Sequence, residues 1–144
     1  SPLIMNRCST VRRHIRCYSM SPMFQEIEHL PEFGRDLNKL LKRWRTLEDD
    51  LATFITTALH LYHHLHIDNQ GIVVMADLGI TTPALFKARK FACKSLKGKG
   101  VHSGIRVIYA YYPERDCVEF IEIYYKGDKA NEDRSRILKQ YKGT

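Results

Sequence analysis

Residues Ser103–Lys126, SGIRVIYAYYPERDCVEFIEIYYK, decide how this chain is read. Ile105–Tyr112 and Cys117–Tyr125 are runs of β-branched and aromatic residues, the composition of strands. The four residues between them, Pro113 to Asp116, carry turn chemistry: proline fixes φ and aspartate bonds its own backbone. The spacing predicts a β-hairpin with Arg106 at the start of its first strand. Cations lead in (Lys87, Arg89, Lys90, Lys94, Lys97 and Lys99) and lead out (Lys126 and Lys129). An apolar hairpin edged by positive charge suits a protein that grips a polyanion.

Upstream of the hairpin, Leu85–Cys93 reads as another strand, with Lys87 and Arg89 on one face by the period of two. Leu96–Gly100 (LKGKG) is a flexible basic loop. Ile72–Met75 reads as a short extended piece, and the sequence Thr81-Thr-Pro breaks the chain after it. Further back, Phe33, Leu37, Leu40, Leu41 and Trp44 keep the spacing of one helical face, and Pro31 is well placed to open that helix. Thr46 and Asp49 form a capping pattern for a second helix, whose apolar positions run from Leu47 through Phe54, Ile55, Ala58, Leu59 and Tyr62 to Leu65. Phe24–His29 is a first strand, and Asn131–Tyr141 a short charged helix anchored by Ile137, Leu138 and Tyr141. The expected architecture is α+β: a small antiparallel sheet against an N-terminal helical hairpin, in the order β-αα-(β)-βββ-α.

The 144 residues carry a net charge of +7, from 23 Lys and Arg against 16 Asp and Glu. Four of the cations (Arg7, Arg12, Arg13 and Arg16) fall in residues 1–22, which hold no acid. That segment reads as an N-terminal tail, with Met5, Met20 and Met23 as alternative starts, and residues 23–144 as one domain. Cys8, Cys17, Cys93 and Cys117 have neither the density nor the C-x-x-C spacing of a disulfide framework or zinc site. Cys93 and Cys117 sit in apolar runs, as small buried thiols do. No apolar run approaches the roughly 18 residues of a membrane span, and a reducing cytoplasm fits best.

His60 and His64 stand at i, i+4, a zinc spacing, but H-E-x-x-H is missing and no carboxylate shares their helical face. They read as solvent-facing cations near a helix C-terminus, and no metal or other cofactor is expected. Glu48–Asp50 and Glu132–Asp133 read as first-turn acids that complement helix dipoles. No nucleophile elbow and no phosphate loop occurs.

Glu32–Trp44, Phe86–Arg89, the Gly104-Ile-Arg-Val-Ile-Tyr strand and Phe120–Lys126 resemble the RelE/ParE toxin superfamily over residues 23–141. The resemblance implies a β-αα-βββ-α fold and a toxin of a type II toxin–antitoxin pair. Its RelE branch cleaves mRNA in the ribosomal A site without metal: the substrate 2′-OH attacks the adjacent phosphate and leaves a 2′,3′-cyclic phosphate. By that resemblance Arg106 and Arg89 stabilise phosphate and Lys87 serves as general base or electrostatic partner. An arginine of the family aligns near Gly127, with Lys126 or Lys129 in its place. Lysine offers no bidentate fork, and arginine at position 89 is a poor base. Lys90, Lys94, Lys97, Lys99, Lys129 and Tyr125 are the further expected RNA contacts. The implied partners are a cognate antitoxin protein, mRNA and the ribosome, with no membrane; a heteromer with the antitoxin is one oligomeric form. The alternatives are a ParE-like inhibitor of DNA gyrase and a relative that binds RNA or protein without cleaving.

Overall fold

The computed structural model describes residues 24–68, 70–76, 78–80 and 83–141. The Arg-rich tail, its methionines, Cys8 and Cys17 lie outside these residues, as do Thr81 and Thr82 of the expected break. The chain is α+β. In order it forms β1 (Glu26–His29), α1 (Pro31–Leu41), α2 (Leu47–Phe54), a π-helical turn (Ile55–Leu59), α3 (His60–His63), β2 (Ile72–Val74), β3 (Ala84–Ala88), β4 (Ile105–Tyr112), β5 (Cys117–Tyr125) and α4 (Arg134–Tyr141). None of the described helices is long and apolar enough to cross a membrane.

The five strands make one sheet in the order β1-β5-β4-β3-β2. β2 to β5 pair antiparallel, whereas β1 pairs with β5 in parallel. The sheet is therefore mixed rather than antiparallel throughout. After β1 the helices carry the chain over one face, and the three reversals from β2 bring β5 back in the direction of β1.

Helices also cover both faces, not one. On the first face Phe33, Leu37, Leu47, Leu51, Phe54 and Leu59 pack on Val107, Tyr109, Val118, Phe120 and Ile123. Phe33 stacks on Phe120 with ring centroids 5.2 Å apart. On the second face Met75, Leu78, Ile80 and Ile137 pack on Leu85, Ile108, Ala110, Ile121 and Tyr124. The cause lies in β4 and β5, whose central residues are buried on both sides. A strand apolar on both faces leaves oil facing water unless each side is covered. β5 also holds a bulge: Ile108 faces Glu122 and Tyr109 faces Phe120, so Ile121 is the extra residue. The bulge turns Ile121 and Glu122 toward the second layer, as such insertions re-aim side chains.

Three local expectations change. Leu85–Cys93 is a strand only to Ala88; beyond it Arg89 donates its amide to Gly71 (2.7 Å), and Phe91 makes a lone bridge with His102. Thr46 does not form the expected box with Asp49. Its hydroxyl donates to Asp50 (2.8 Å) and accepts from the Ser95 amide (3.0 Å), tying a distant loop to the start of α2. The long helix changes its bonding pattern at Ile55–Leu59, where Thr56 and Thr57 hydroxyls donate to the Thr53 carbonyl at 3.2 and 2.6 Å. Hydroxyls that compete for backbone carbonyls loosen the helical ladder, and the π turn shifts the phase of the residues beyond it. Leu65, expected on the apolar face, is 52% exposed.

Candidate functional site

Register fixes which cations meet. Lys87 of β3 pairs with Ile108, and Arg106 of β4 pairs with Tyr124 of β5. Lys87 and Arg106 are thus diagonal neighbours on the second face, positions about 7–8 Å apart in an antiparallel pair. Arg106 reaches back across the strand: its Nη1 donates to the Arg89 carbonyl at 2.8 Å. Lys126 follows β5 directly and donates its amide to Gly104 (2.8 Å), beside the start of β4. Lys129 places its ammonium 5.3 Å from the centre of the Tyr124 ring. Lys87, Arg106 and Lys129 therefore share one end of the second face, and the backbone of Arg89 and Lys126 lies at its edge.

The remaining expected contacts go elsewhere. Lys94 gives its amide to Asp50 of α2 (3.1 Å), so the loop carrying Lys94, Lys97 and Lys99 sits against the helical layer. Lys97 and Lys99 are exposed there and Lys90 is half-buried. Tyr125 points to the first face, edge-on to Trp44 at 4.9 Å with Arg43 above both rings. The tyrosine beside Arg106 is Tyr124, and it is buried. At position 127, a Cβ would lie 2.4 Å from Tyr125 Cε2, so the ring of Tyr125 occupies the space of a side chain there.

Two carboxylates that sequence reasoning assigned to a helix dipole or left aside belong to this end. α4 begins at Arg134, after Glu132 and Asp133. Asp133 Oδ1 accepts the Arg136 amide (3.1 Å), whereas Glu132 Oε1 accepts from the Lys87 ammonium at 2.9 Å and its Oε2 from Arg134 Nε at 3.1 Å. Glu122, turned inward by the bulge, pairs with Lys129 and accepts the Asp133 amide at 2.7 Å. Burial by itself lowers the pKa of Lys87, but its bonds to Glu132 and Tyr124 outweigh that and hold the ammonium above its ordinary value. Burial likewise raises Glu132, and the Lys87 bond, its own backbone amide and the Lys87 and Arg134 charges reverse the sign. At neutral pH both are charged. The signal for Glu122 and Glu132 was their sequence neighbourhood to Lys126 and Lys129, but only the bulge and the late helix start aim them.

A second polar cluster was hidden in the histidine run. His63 Nε2 lies 2.8 Å from the Tyr109 hydroxyl, and His64 Nε2 lies 2.8 Å from Asp116 Oδ1. The two Nδ1 atoms of His60 and His64 are 2.7 Å apart. Tyr111 donates to Asp116 Oδ1 at 2.7 Å. These histidines were expected on a solvent face; the π turn rotates His63 and His64 toward the β4–β5 turn instead. Asp116 adopts a φ of +49°, which aims its carboxylate back at α3. Burial, helped by the neighbouring His64 and His66 and opposed by Asp116, lowers the His63 pKa to about 4. Burial and then Asp116 push Tyr111 up. Among the described residues, one group has ligand atoms close enough to share a metal ion: Glu26, Glu28 and Cys117, at the opposite end of the second face.

No protein-family model, curated protein or solved structure matches the chain. The cationic end of the second face must be interpreted from its own chemistry. It can bind an anion whose charge is spread over several oxygens: Arg106 offers a planar fork, Lys87 and Lys129 point charges, and Lys126 stands at the rim.

Proposed function

We propose that the chain is a RelE-like toxin of a type II toxin–antitoxin pair, a ribosome-dependent mRNA endoribonuclease that needs no metal. The observation that carries this reading is the same-face diagonal placement of Lys87 and Arg106 on adjacent strands, with Lys129 beside them and the backbone of Arg89 and Lys126 at the edge. The element order supports it: an added edge strand, β2, lies between the helices and the last three strands of an otherwise β-αα-βββ-α chain. In the proposed reaction the 2′-OH gives its proton to water as its oxygen bonds to the adjacent 3′-phosphorus. The bond from phosphorus to the 5′-oxygen of the next nucleotide breaks, and that oxygen leaves as a hydroxyl after taking a proton from water. Charge that builds on the phosphoryl oxygens is met by fixed cations, which can supply the larger part of such a rate enhancement. Arg106 and Arg89 stabilise the phosphate, and Lys87, whose proton is held, acts electrostatically rather than as a base. The partners are mRNA, the ribosome and a cognate antitoxin, and the compartment is the cytoplasm.

Arg106→Ala tests the reading. Growth inhibition and cleavage on programmed ribosomes are lost while the folded content is kept; a folded variant that still cleaves overturns it.

A non-cleaving relative is the second reading, favoured by one observation: Lys87 holds its proton above the ordinary range, and guanidinium groups are poor bases, so the cationic set offers no good proton acceptor. Salt-dependent RNA binding without ribosomal cleavage marks that outcome. A ParE-like gyrase inhibitor is separated from both by DNA damage on induction without mRNA cuts.

A further inference from the structure

The phosphate-binding lysines of the proposed site are not vacant. Lys87 gives a hydrogen bond to Glu132 at 2.9 Å, and Lys129 is paired with Glu122. Both carboxylates are shielded from water: the side chain of Glu132 is 3% exposed and that of Glu122 1%, against 20% for Lys87. They arrive by different routes, Glu122 from the β5 bulge and Glu132 from the segment between β5 and α4. Glu122 Oε1 also accepts the Asp133 amide, and Arg134 Nε grips the second oxygen of Glu132. The segment 126–133 is thus folded back over the end of the sheet by two carboxylate–ammonium contacts. A surface anchor for α4 would not need them: Ile137 is fully buried, and Arg136 Nη1 donates to Asp36 (2.7 Å) and the Ile121 carbonyl (2.9 Å).

A carboxylate and a phosphate are alternative acceptors for the same ammonium, and one partly buried Lys cannot keep both at full strength. Arg106 is differently placed, since it spends one donor on a neutral carbonyl and has others left. We infer that Glu132 is an internal stand-in for phosphate, an autoinhibitory contact that keeps Lys87 closed to substrate until the 126–133 segment moves away. This inference rests on the proposed function for the nature of the substrate, but the contact itself is a matter of anion competition. Substrate would first meet Arg106 and the rim cations, then take Lys87 from Glu132. The released carboxylate would be left beside the site with Arg134 as its partner.

The test uses the full chain and inorganic phosphate as the probe, followed by NMR of the Lys87 Cε/Nζ and Arg106 guanidinium signals. In the wild type, phosphate shifts Arg106 at concentrations that leave Lys87 unmoved. In Glu132→Gln, which keeps the shape and a hydrogen-bond acceptor but drops the charge, both respond together. Phosphate affinity rises about tenfold, the scale of one removed competing charge at a partly screened site. Arg134→Ala, which removes the other cation on Glu132 without touching Lys87, leaves the carboxylate wholly to Lys87, lowers the phosphate response of Lys87 below that of the wild type, and carries the test if Glu132→Gln does not fold. Equal responses of Lys87 in wild type and both variants, or a loss of phosphate affinity on removing Glu132, overturn the inference and leave Glu132 a structural pin. Cleavage on ribosomes separates this from the proposed function. Phosphate behaviour as expected with no cleavage by any form sinks the nuclease and keeps the gate. Wild-type cleavage with no gain of phosphate affinity in Glu132→Gln and no loss in Arg134→Ala sinks the gate and keeps the nuclease.

Discussion

His64 Nε2 and Asp116 Oδ1 are joined at 2.8 Å although 52 residues separate them. The contact fastens α3 to the β4–β5 turn, and the same carboxylate accepts from Tyr111 and from the Gln25 amide (3.2 Å). Burial raises the Asp116 pKa, but the bonds from Tyr111 and His64, the His64 charge and the Gln25 amide lower it overall. The carboxylate is therefore a hub that holds an edge strand, a turn and a helix together.

Asp116→Asn isolates the charge of that hub, because asparagine also tolerates the positive φ. Three donors then share a neutral acceptor, and stability falls by about 1–3 kcal/mol. Urea unfolding at pH 7 measures it; an unchanged midpoint would mean that the hub holds nothing.

The depressed His63 pKa sets a pH dependence. Between its ordinary value of 6.5 and about 4, the unfolded chain binds more protons at this position than the folded one. Stability contributed by neutral His63 is thus complete above pH 6.5 and is lost as the pH falls toward 4. The full shift corresponds to about 3 kcal/mol, reduced to about 2 because the ring is partly in contact with water. His63→Phe keeps the ring stacked on Tyr111 (4.2 Å in the parent) and flattens the profile in this window. Denaturation across the range from about pH 4 to about pH 8 compares the two; parallel curves refute the assignment.

Tyr125 is pinched between two glycines. Gly104 has a φ of +89° and a Cβ there would meet Tyr125 Cε1 at 3.1 Å, while a Cβ at Gly127 would overlap the other edge of the ring at 2.4 Å. Gly127→Ala pushes the ring toward Trp44 and costs about 1–3 kcal/mol. Gly104→Ala adds backbone strain of about 1–2 kcal/mol. Trp44 is the single tryptophan, so its emission reports the displacement directly. An unchanged spectrum and melting temperature in Gly127→Ala would show that the ring is not confined.

Arg106→Ala should separate activity from folding. It removes one hydrogen bond to the Arg89 carbonyl, worth about 1 kcal/mol, from a residue that is only partly buried. Circular dichroism and melting check the fold, and on the proposed function toxicity and RNA cleavage fall to background; a folded variant that keeps both refutes the role of Arg106.

The hairpin was the most legible part of the chain. Two β-branched and aromatic runs around Pro113–Asp116 admit one local structure, and β4 and β5 span Ile105–Tyr112 and Cys117–Tyr125 as expected. α1 was legible from its spacing and from Pro31 at its first turn. The features that the residues could not reveal depend on partners far along the chain. β1 alternates the same way whether it pairs parallel or antiparallel. The π turn conserves the apolar period until Leu59 and betrays itself only in where His63, His64 and Leu65 point. Lys87 was placed by the strand period, which paired it with Arg89, whereas Arg106 stood out by its position at the start of the hairpin; that the two share a face depends on the β3–β4 register. Glu132 was assigned to a helix dipole because the helix was expected from Asn131; it starts at Arg134, and Glu132 is taken by Lys87 instead.

The parallel pairing of β1 with β5 also dictates a folding sequence. Residues 26–29 find their partners at 117–120, so the first strand has no neighbour until β5 has been made. Such long-range closure is slow, because chain entropy is lost before contacts repay it. The helical hairpin can gather early, but Phe33 must wait for Phe120 to complete the first layer. If the chain acts on ribosomes, this topology delays its own competence: the ribosome that makes it releases a late-maturing product rather than an active one.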